Sequence, residues 1–129
     1  MSAFSDALGV SASGLKAQAH RLRIVSENVA NTDTPGYRRK TVAFASEVAT
    51  SGVAKVALDD VVLDRRPGEQ IYDPGHPMAD ASGHYTGSNV DLVIEIADAR
   101  EAQRSYEANL KMFDQARQMS SGLMDLLRK

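Results

Sequence analysis

The sequence predicts an α+β fold that is mainly α. Long N- and C-terminal helices form a coiled-coil-like pair, with a small antiparallel β insert between them. Three observations predict it. Apolar residues recur at steps of three and four towards both ends of the chain. The middle replaces that rhythm with short β-branched runs separated by Gly, Pro and Asp. Aromatic residues make up only 5% of the chain, with no Trp. That is thin for a compact core, because aromatics supply the largest buried areas. The 129 residues suffice for one modest unit, whose burial is expected to be completed by partners.

In residues 4–29, Leu8, Ala12, Leu15, Ala19, Leu22, Val25 and Val29 fall on one helical stripe. The small Ala positions admit a neighbouring helix closely. Gly9 and Gly14 weaken the helix by about 1 kcal/mol each relative to Ala, so it depends on packing for its stability. The helix is predicted to stop near Asn31. Asn28 and Asn31 favour caps and turns, and Pro35-Gly36 cannot continue a helix. Asn31-Thr32-Asp33-Thr34-Pro35-Gly36-Tyr37 reads as a dense turn, and Arg38-Arg39-Lys40 begins an extended stretch.

Residues 41–88 read as the β insert. Val42 and Phe44 alternate with smaller or polar residues, and Val53, Val56, Leu58, Val61, Val62 and Leu63 form short aliphatic runs. Asp59-Asp60 is read as a hairpin turn between two of these runs. Arg65-Arg66-Pro67-Gly68 is read as a second turn, and Ile71-Tyr72 as a short strand. Residues 73–87, rich in Asp, Gly, Pro, His and Ser, are read as a loop.

Residues 90–127 carry the second helical pattern. Leu92, Ile96, Ala99, Gln103, Tyr106, Leu110, Phe113, Arg117, Ser120, Met124 and Leu127 step by four and three. Ala102, Ala116 and Leu123 flank the polar gaps. Such a helix spans about 57 Å, beyond the ordinary globular length, so coiled-coil-like packing is the natural expectation. The chain accordingly divides into an N-terminal helix and turn (1–40), a β-rich outer insert (41–88) and a C-terminal long helix (89–129).

Composition excludes more than it assigns. The chain has no Cys, hence no disulfide framework and no thiolate metal site. Its net charge of −2 splits into +3 over residues 1–45 and −5 over 46–129. That polarity allows attraction within or between subunits and is far too weak to indicate nucleic acid. Apolar runs are too short to span a bilayer, so membrane insertion is not expected. The first residues lack the basic and apolar regions of a cleaved signal.

No nucleophile elbow, phosphate loop or dinucleotide fingerprint is present. Asp73, His76, Asp80 and His84 offer mixed N/O donors in one loop, yet Asp-Pro-Gly-His-Pro is equally a rigid turn. His20 reads as a surface residue, and Arg38-Arg39-Lys40 as a contact for an acidic protein surface. No cofactor, metal or catalytic group is expected. The rival readings are a helical coiled-coil adaptor and a small hydrolase or metal enzyme built on the 73–84 loop.

The stretch Ser26-Glu27-Asn28-Val29-Ala30-Asn31-Thr32-Asp33-Thr34-Pro35-Gly36-Tyr37-Arg38-Arg39 resembles the N-terminal signature of the flagellar axial proteins, the rod, hook and hook-associated subunits. Ser11-Ala12-Ser13-Gly14-Leu15 also resembles that family. Tyr72-Asp73-Pro74-Gly75-His76-Pro77, Asn89-Val90-Asp91 and Arg104-Ser105-Tyr106-Glu107-Ala108-Asn109 are similar to its proximal-rod members. The resemblance implies a structural subunit that assembles helically into the rod crossing the periplasm and transmits torque there. It implies export through the flagellar type III apparatus without signal cleavage. It also implies contacts with copies of itself, with the rod proteins FlgB, FlgF and FlgG, and with the base protein FliE. The motif residues carried over are Asn28, Ala30, Asn31, Thr34, Pro35, Gly36, Tyr37 and Arg38. The subunit-interface residues are expected on the two stripes: Leu8, Ala12, Leu15, Ala19, Leu22, Val25 and Val29, with Leu92, Ile96, Ala99, Tyr106, Leu110, Phe113, Met124 and Leu127.

Overall fold

Two helices dominate the computed structural model, which describes residues 2–48 and 52–128. Helix α1 spans Ser2–Ala30 and helix α2 spans Leu92–Arg128. At 1.5 Å per residue they extend about 43 and 55 Å. They pack side by side and antiparallel: Asn28 meets Glu95 near one end, and Gly14 meets Asn109 further along.

Local chemistry sets the ends of both helices. At the C-terminus of α1 the side-chain amide of Asn31 donates to Glu27 O at 2.9 Å, and the Thr32 hydroxyl donates to Val29 O at 2.8 Å. These bonds satisfy carbonyls that the last helical turn leaves unpaired. Asp91 caps α2, accepting the Val93 N–H at 3.0 Å, and Arg128 lies at the negative end of that helix dipole.

Among its described residues the insert contains six short strands: β1 (Lys40–Thr41), β2 (Phe44–Val48), β3 (Ala54–Leu58), β4 (Val62–Leu63), β5 (Gln70–Tyr72) and β6 (His84–Thr86). They form separate antiparallel pairs, β1 with β4, β2 with β3, and β5 with β6. The β2–β3 hairpin pairs Phe44 with Leu58 at its base and Val48 with Ala54 at its far end, and β3 lies along α1.

Two expectations are corrected here. Asp59-Asp60 is not a hairpin turn. It links β3 to β4, which belong to different pairs, and the Asp59 N–H closes the hairpin base on Ala43 O at 3.0 Å. Residues 73–87 are not all loop, because His84–Thr86 forms β6 and pairs with β5.

The core is small. Among the described residues the buried hydrophobic side chains are Ala17, Ile24, Val25 and Ala102, joined by the polar Ser11, Asn28 and Glu95. The accessible surface is 8847 Å², against about 6,700 Å² expected of a compact monomer of 13.9 kDa.

Candidate functional site

The turn after α1, the start of β1 and the first turns of α2 converge on one polar junction, with Asn28 at its centre. Its side-chain oxygen accepts the Lys40 N–H at 2.9 Å and the Tyr37 hydroxyl at 2.8 Å. Its amide nitrogen donates to Lys40 O at 2.9 Å and lies 3.4 Å from Glu95 Oε2. All four bonding directions of this buried amide are therefore used.

Burial raises the Tyr37 phenol above its ordinary range, and nearby Glu27 adds to the effect. Glu27 also binds the Lys40 ammonium, and that hydrogen bond raises the lysine.

Charge pairing continues across the helices. Glu95 is 0% exposed and pairs with Arg39 Nε; Arg39 also reaches Asp98 at 3.7 Å. Arg21 bonds Asp98 and Glu101. Buried charges persist only when paired and hydrogen-bonded, and here two arginines from the N-terminal part answer three carboxylates on α2. Further along, a Cβ at Gly14 would lie 2.8 Å from Asn109 Cγ. Gly14, read from sequence as a weak point of the helix, is a position where α2 packs so closely that a side chain would collide with Asn109.

The signature turn is stitched to the strands on its other side. Thr34 N donates to Asn31 O at 3.0 Å, Tyr37 N to Thr34 O at 3.1 Å, and the Thr34 hydroxyl to Asn31 Oδ1 at 3.0 Å. Gly36 adopts φ +74° and donates to Thr86 O at 3.1 Å. Ser88 bonds Thr32 O. Asn89 accepts the Arg39 N–H at 2.5 Å and donates to Asp64 O at 3.1 Å and Arg66 O at 2.9 Å. Arg66 in turn bonds the Asp64 carboxylate and holds its pKa below the usual value.

Of the signature residues, Asn28, Asn31, Thr34, Gly36 and Tyr37 thus meet at the junction, and Pro35 lies within the turn. Ala30 and Arg38 are exposed. Sequence reasoning missed Arg21, Glu95 and Asp98; it named Asn109 only through the family resemblance, and it assigned Arg39 and Lys40 to an acidic protein surface, whereas here Arg39 pairs with Glu95 and Lys40 with Glu27 inside the chain. The signal of the α2 residues was available: residues 95, 98, 102, 105 and 109 also step by three and four, but the repeat is polar and small rather than apolar.

The stripes named from the sequence lie largely outside this seam. Leu92 is 46% exposed, Ile96 51% and Leu127 72%; Leu110, Met124 and Val29 are also exposed. Ala12 and Ala19 are exposed, while Leu8, Leu15, Leu22, Ala99, Tyr106 and Phe113 are half-buried and only Val25 is buried. Eight of the fifteen stripe positions are thus exposed in the lone subunit and the other seven are partly or fully buried, beside a seam that combines the polar pairs with the buried Ala17, Ile24, Val25 and Ala102.

The 73–84 loop is internally satisfied. Asp80 Oδ1 accepts from Ser82 N, Ser82 Oγ and His84 N, and the Ser82 hydroxyl bond lowers the aspartate's pKa. His76 stacks on Tyr85 at 3.9 Å between ring centroids and accepts the Met78 N–H at 3.1 Å. Among the described residues no three His, Asp or Glu side chains gather to hold a metal, and no helix is long and apolar enough to cross a membrane.

The fold is a helix pair locked at one end by a polar turn, with Leu92, Ile96, Leu110, Met124 and Leu127 left exposed on α2. Residues 8–38 match the family model described as flagella basal body rod protein, and residues 81–126 match the model for the C-terminal part of the flagellar basal body rod FlgEFG proteins. A flagellar basal-body rod protein FlgC from Agrobacterium fabrum is 47% identical over 99% of this chain and 98% of its own. FlgC proteins of Escherichia coli O6:H1 and Salmonella typhimurium are 37% and 35% identical, each over 85% of this chain and 87% of theirs. The chain belongs to the FlgC family of flagellar basal-body rod proteins and is a structural subunit of the rod. Its relatives are structural rod proteins rather than enzymes, and nothing favours an adaptor unrelated to flagella.

Proposed function

We propose that this subunit assembles helically with copies of itself and with the other rod proteins, FlgB, FlgF and FlgG, above the base protein FliE. The proximal shaft so formed transmits torque across the periplasm. In this reading residues 1–40 and 89–129 form the inner helical layer and residues 41–88 the outer insert. The subunit leaves the cytoplasm through the flagellar type III apparatus without signal cleavage.

The single observation that carries the reading is the run of exposed apolar residues along α2, with Val29 beside it on α1. The contact between α1 and α2 uses Asn28, Arg21, Glu95 and Asp98, which leaves Leu92, Ile96, Leu110, Met124 and Leu127 for other chains. A stripe on each helix that meets a different surface on the next subunit makes a heterologous contact, and such contacts generate a helical filament. Burying a half-exposed Leu or Ile at a contact contributes about 1 kcal/mol, so several per subunit suffice to hold a rod.

An in-frame deletion scored by electron microscopy of basal bodies tests the role. Missing rods and hooks, restored on complementation, are the expected result. Site-specific cross-linking from Ile96 and Leu127 in restored cells identifies the neighbours; cross-links to no other rod protein would remove the proposed partners.

A further inference from the structure

The β5–β6 hairpin is a knob that stands on the signature turn. At its base Gly36 N donates to Thr86 O at 3.1 Å and Gly87 N to Glu69 O at 2.7 Å. Beyond that base β5 and β6 pair with each other and pack along neither helix. The loop between them fixes its own shape. Asp73 N donates to Gly83 O at 2.9 Å, Asp80 N to His84 O at 2.8 Å and Ala79 N to His76 O at 3.0 Å. Gly83 takes φ +81°, and a Cβ there would lie 2.8 Å from the Tyr72 ring. A loop ordered before it meets a partner loses little entropy on binding.

The surface of the knob combines two chemistries. Tyr72 and Met78 are exposed, and aromatic residues and Met are enriched where proteins touch. Residues 69–86 also include Glu69, Asp73 and Asp80 but no Lys or Arg.

Helix α1 offers the opposite surface. Lys16, His20 and Arg23 follow at steps of four and three and share one face. With Ala19 and Leu58 they line a cleft of about 500 Å³. Arg23 donates to His20 Nδ1 at 2.8 Å. Among the described residues neither Lys16 nor Arg23 forms an ion pair, and Asp59 and Asp60, next after Leu58, reach neither of them. Glu69 and Asp73 are likewise without a paired cation among the described residues.

We propose that the knob of one copy of this chain docks in the Lys16–His20–Arg23 cleft of a second copy. The inference rests on the reading that copies of the chain touch within the rod. Charge selects this pairing: two knobs repel each other and so do two clefts, whereas knob and cleft attract. Tyr72 and Met78 supply apolar contact over Ala19 and Leu58, and Glu69 and Asp73 answer Lys16 and Arg23. Knob and cleft are different surfaces of one chain, so the contact is heterologous and leaves a free knob and a free cleft for further copies.

The chain has no Cys, so one cysteine on each side reports the contact. Ala19→Cys marks the cleft and Ala81→Cys the knob; both positions are exposed and uncharged. The two purified full-length variants are mixed and oxidised. Disulfide between positions 19 and 81 should exceed the like-with-like disulfides about fivefold, and the excess should vanish in about 1 M salt. Equal yields of mixed and like disulfides overturn the proposal, and so does an excess indifferent to salt. A charge swap is the second arm. Arg23→Glu in the cleft variant should abolish the excess, and Asp73→Arg in the knob variant should restore it; a loss that the swap does not relieve also overturns the docking. Quantifying either cysteine variant in isolated basal bodies tests rod membership separately.

Discussion

The side chain of Asn28 and the backbone of Lys40 are joined by two hydrogen bonds of 2.9 Å, one in each direction. The amide takes the place of a strand partner for the first residue of β1. A helix terminus is thereby tied to the start of a β ladder twelve residues on, across a turn that contains proline and a glycine of positive φ. The conformation of the turn is thus over-determined from both sides, as a junction between helical core and insert requires.

Asn28→Asp should unfold this junction. The carboxylate cannot donate to Lys40 O, and it places a second negative charge beside Glu95. Losing hydrogen bonds in a buried site and adding like charge there costs on the order of 3 kcal/mol. Urea denaturation of the purified chain should show a lower midpoint, and an unchanged midpoint would show that Asn28 does not hold the turn.

Arg39→Met should cost about 3–5 kcal/mol, because it leaves the Glu95 carboxylate buried without its main partner. Glu95→Leu combined with Arg39→Met should recover most of that loss, since an apolar pair removes the desolvated charge. A double-mutant cycle by thermal denaturation measures both. Additive losses would mean that the two side chains do not interact.

Gly36 sits at φ +74° with no atom within 4 Å of where a Cβ would be. Gly36→Val therefore meets backbone strain rather than a clash, on the order of 1–2 kcal/mol. Swarming should be impaired by Gly36→Val and less so by Gly36→Asn, because Asn tolerates the left-handed region. Equal swarming by both variants and the natural chain would rule out a conformational requirement at the turn.

The Tyr37 phenol is held above its ordinary value of 10.0 by burial, with Glu27 contributing. A group whose folded-state pKa is raised gives stability that is fully present below pH 10 and is lost as pH climbs through the raised value. Ionisation also removes the proton that Tyr37 donates to Asn28. The melting temperature should fall as the pH rises above 10, and the fall should be shallower in Tyr37→Phe. Parallel curves for the two proteins would exclude this contribution.

The sequence made the helices legible because an apolar step of three and four over many turns has few other meanings. It concealed which faces of those helices meet. The apolar stripes mark one face of each helix, whereas the seam uses Gly14, Arg21, Asn28, Glu95, Asp98 and Ala102, whose shared face appears only when polar and small residues are counted as packing residues. The signature turn was visible through Pro35 and Gly36, but the role of Asn28 depends on Lys40 and Glu95 arriving from different segments. In the insert, strands of two to five residues carry too little periodicity to reveal pairing. Asp59-Asp60 has turn chemistry yet bridges two sheets, and His84–Thr86 was masked by the Gly, Pro and Asp around it.

The most direct test of the central claim is the basal-body content of the Ile96→Asp and Leu110→Asp variants, measured beside their solution stability. Both positions are exposed in the lone subunit, so each purified variant should keep its melting midpoint within about 0.5 kcal/mol of the natural chain. The account predicts that both are exported but depleted at least tenfold from isolated rods. Rods that incorporate the two variants at the natural level would contradict it, because the outward stripes would then not be the surface on which the rod is built.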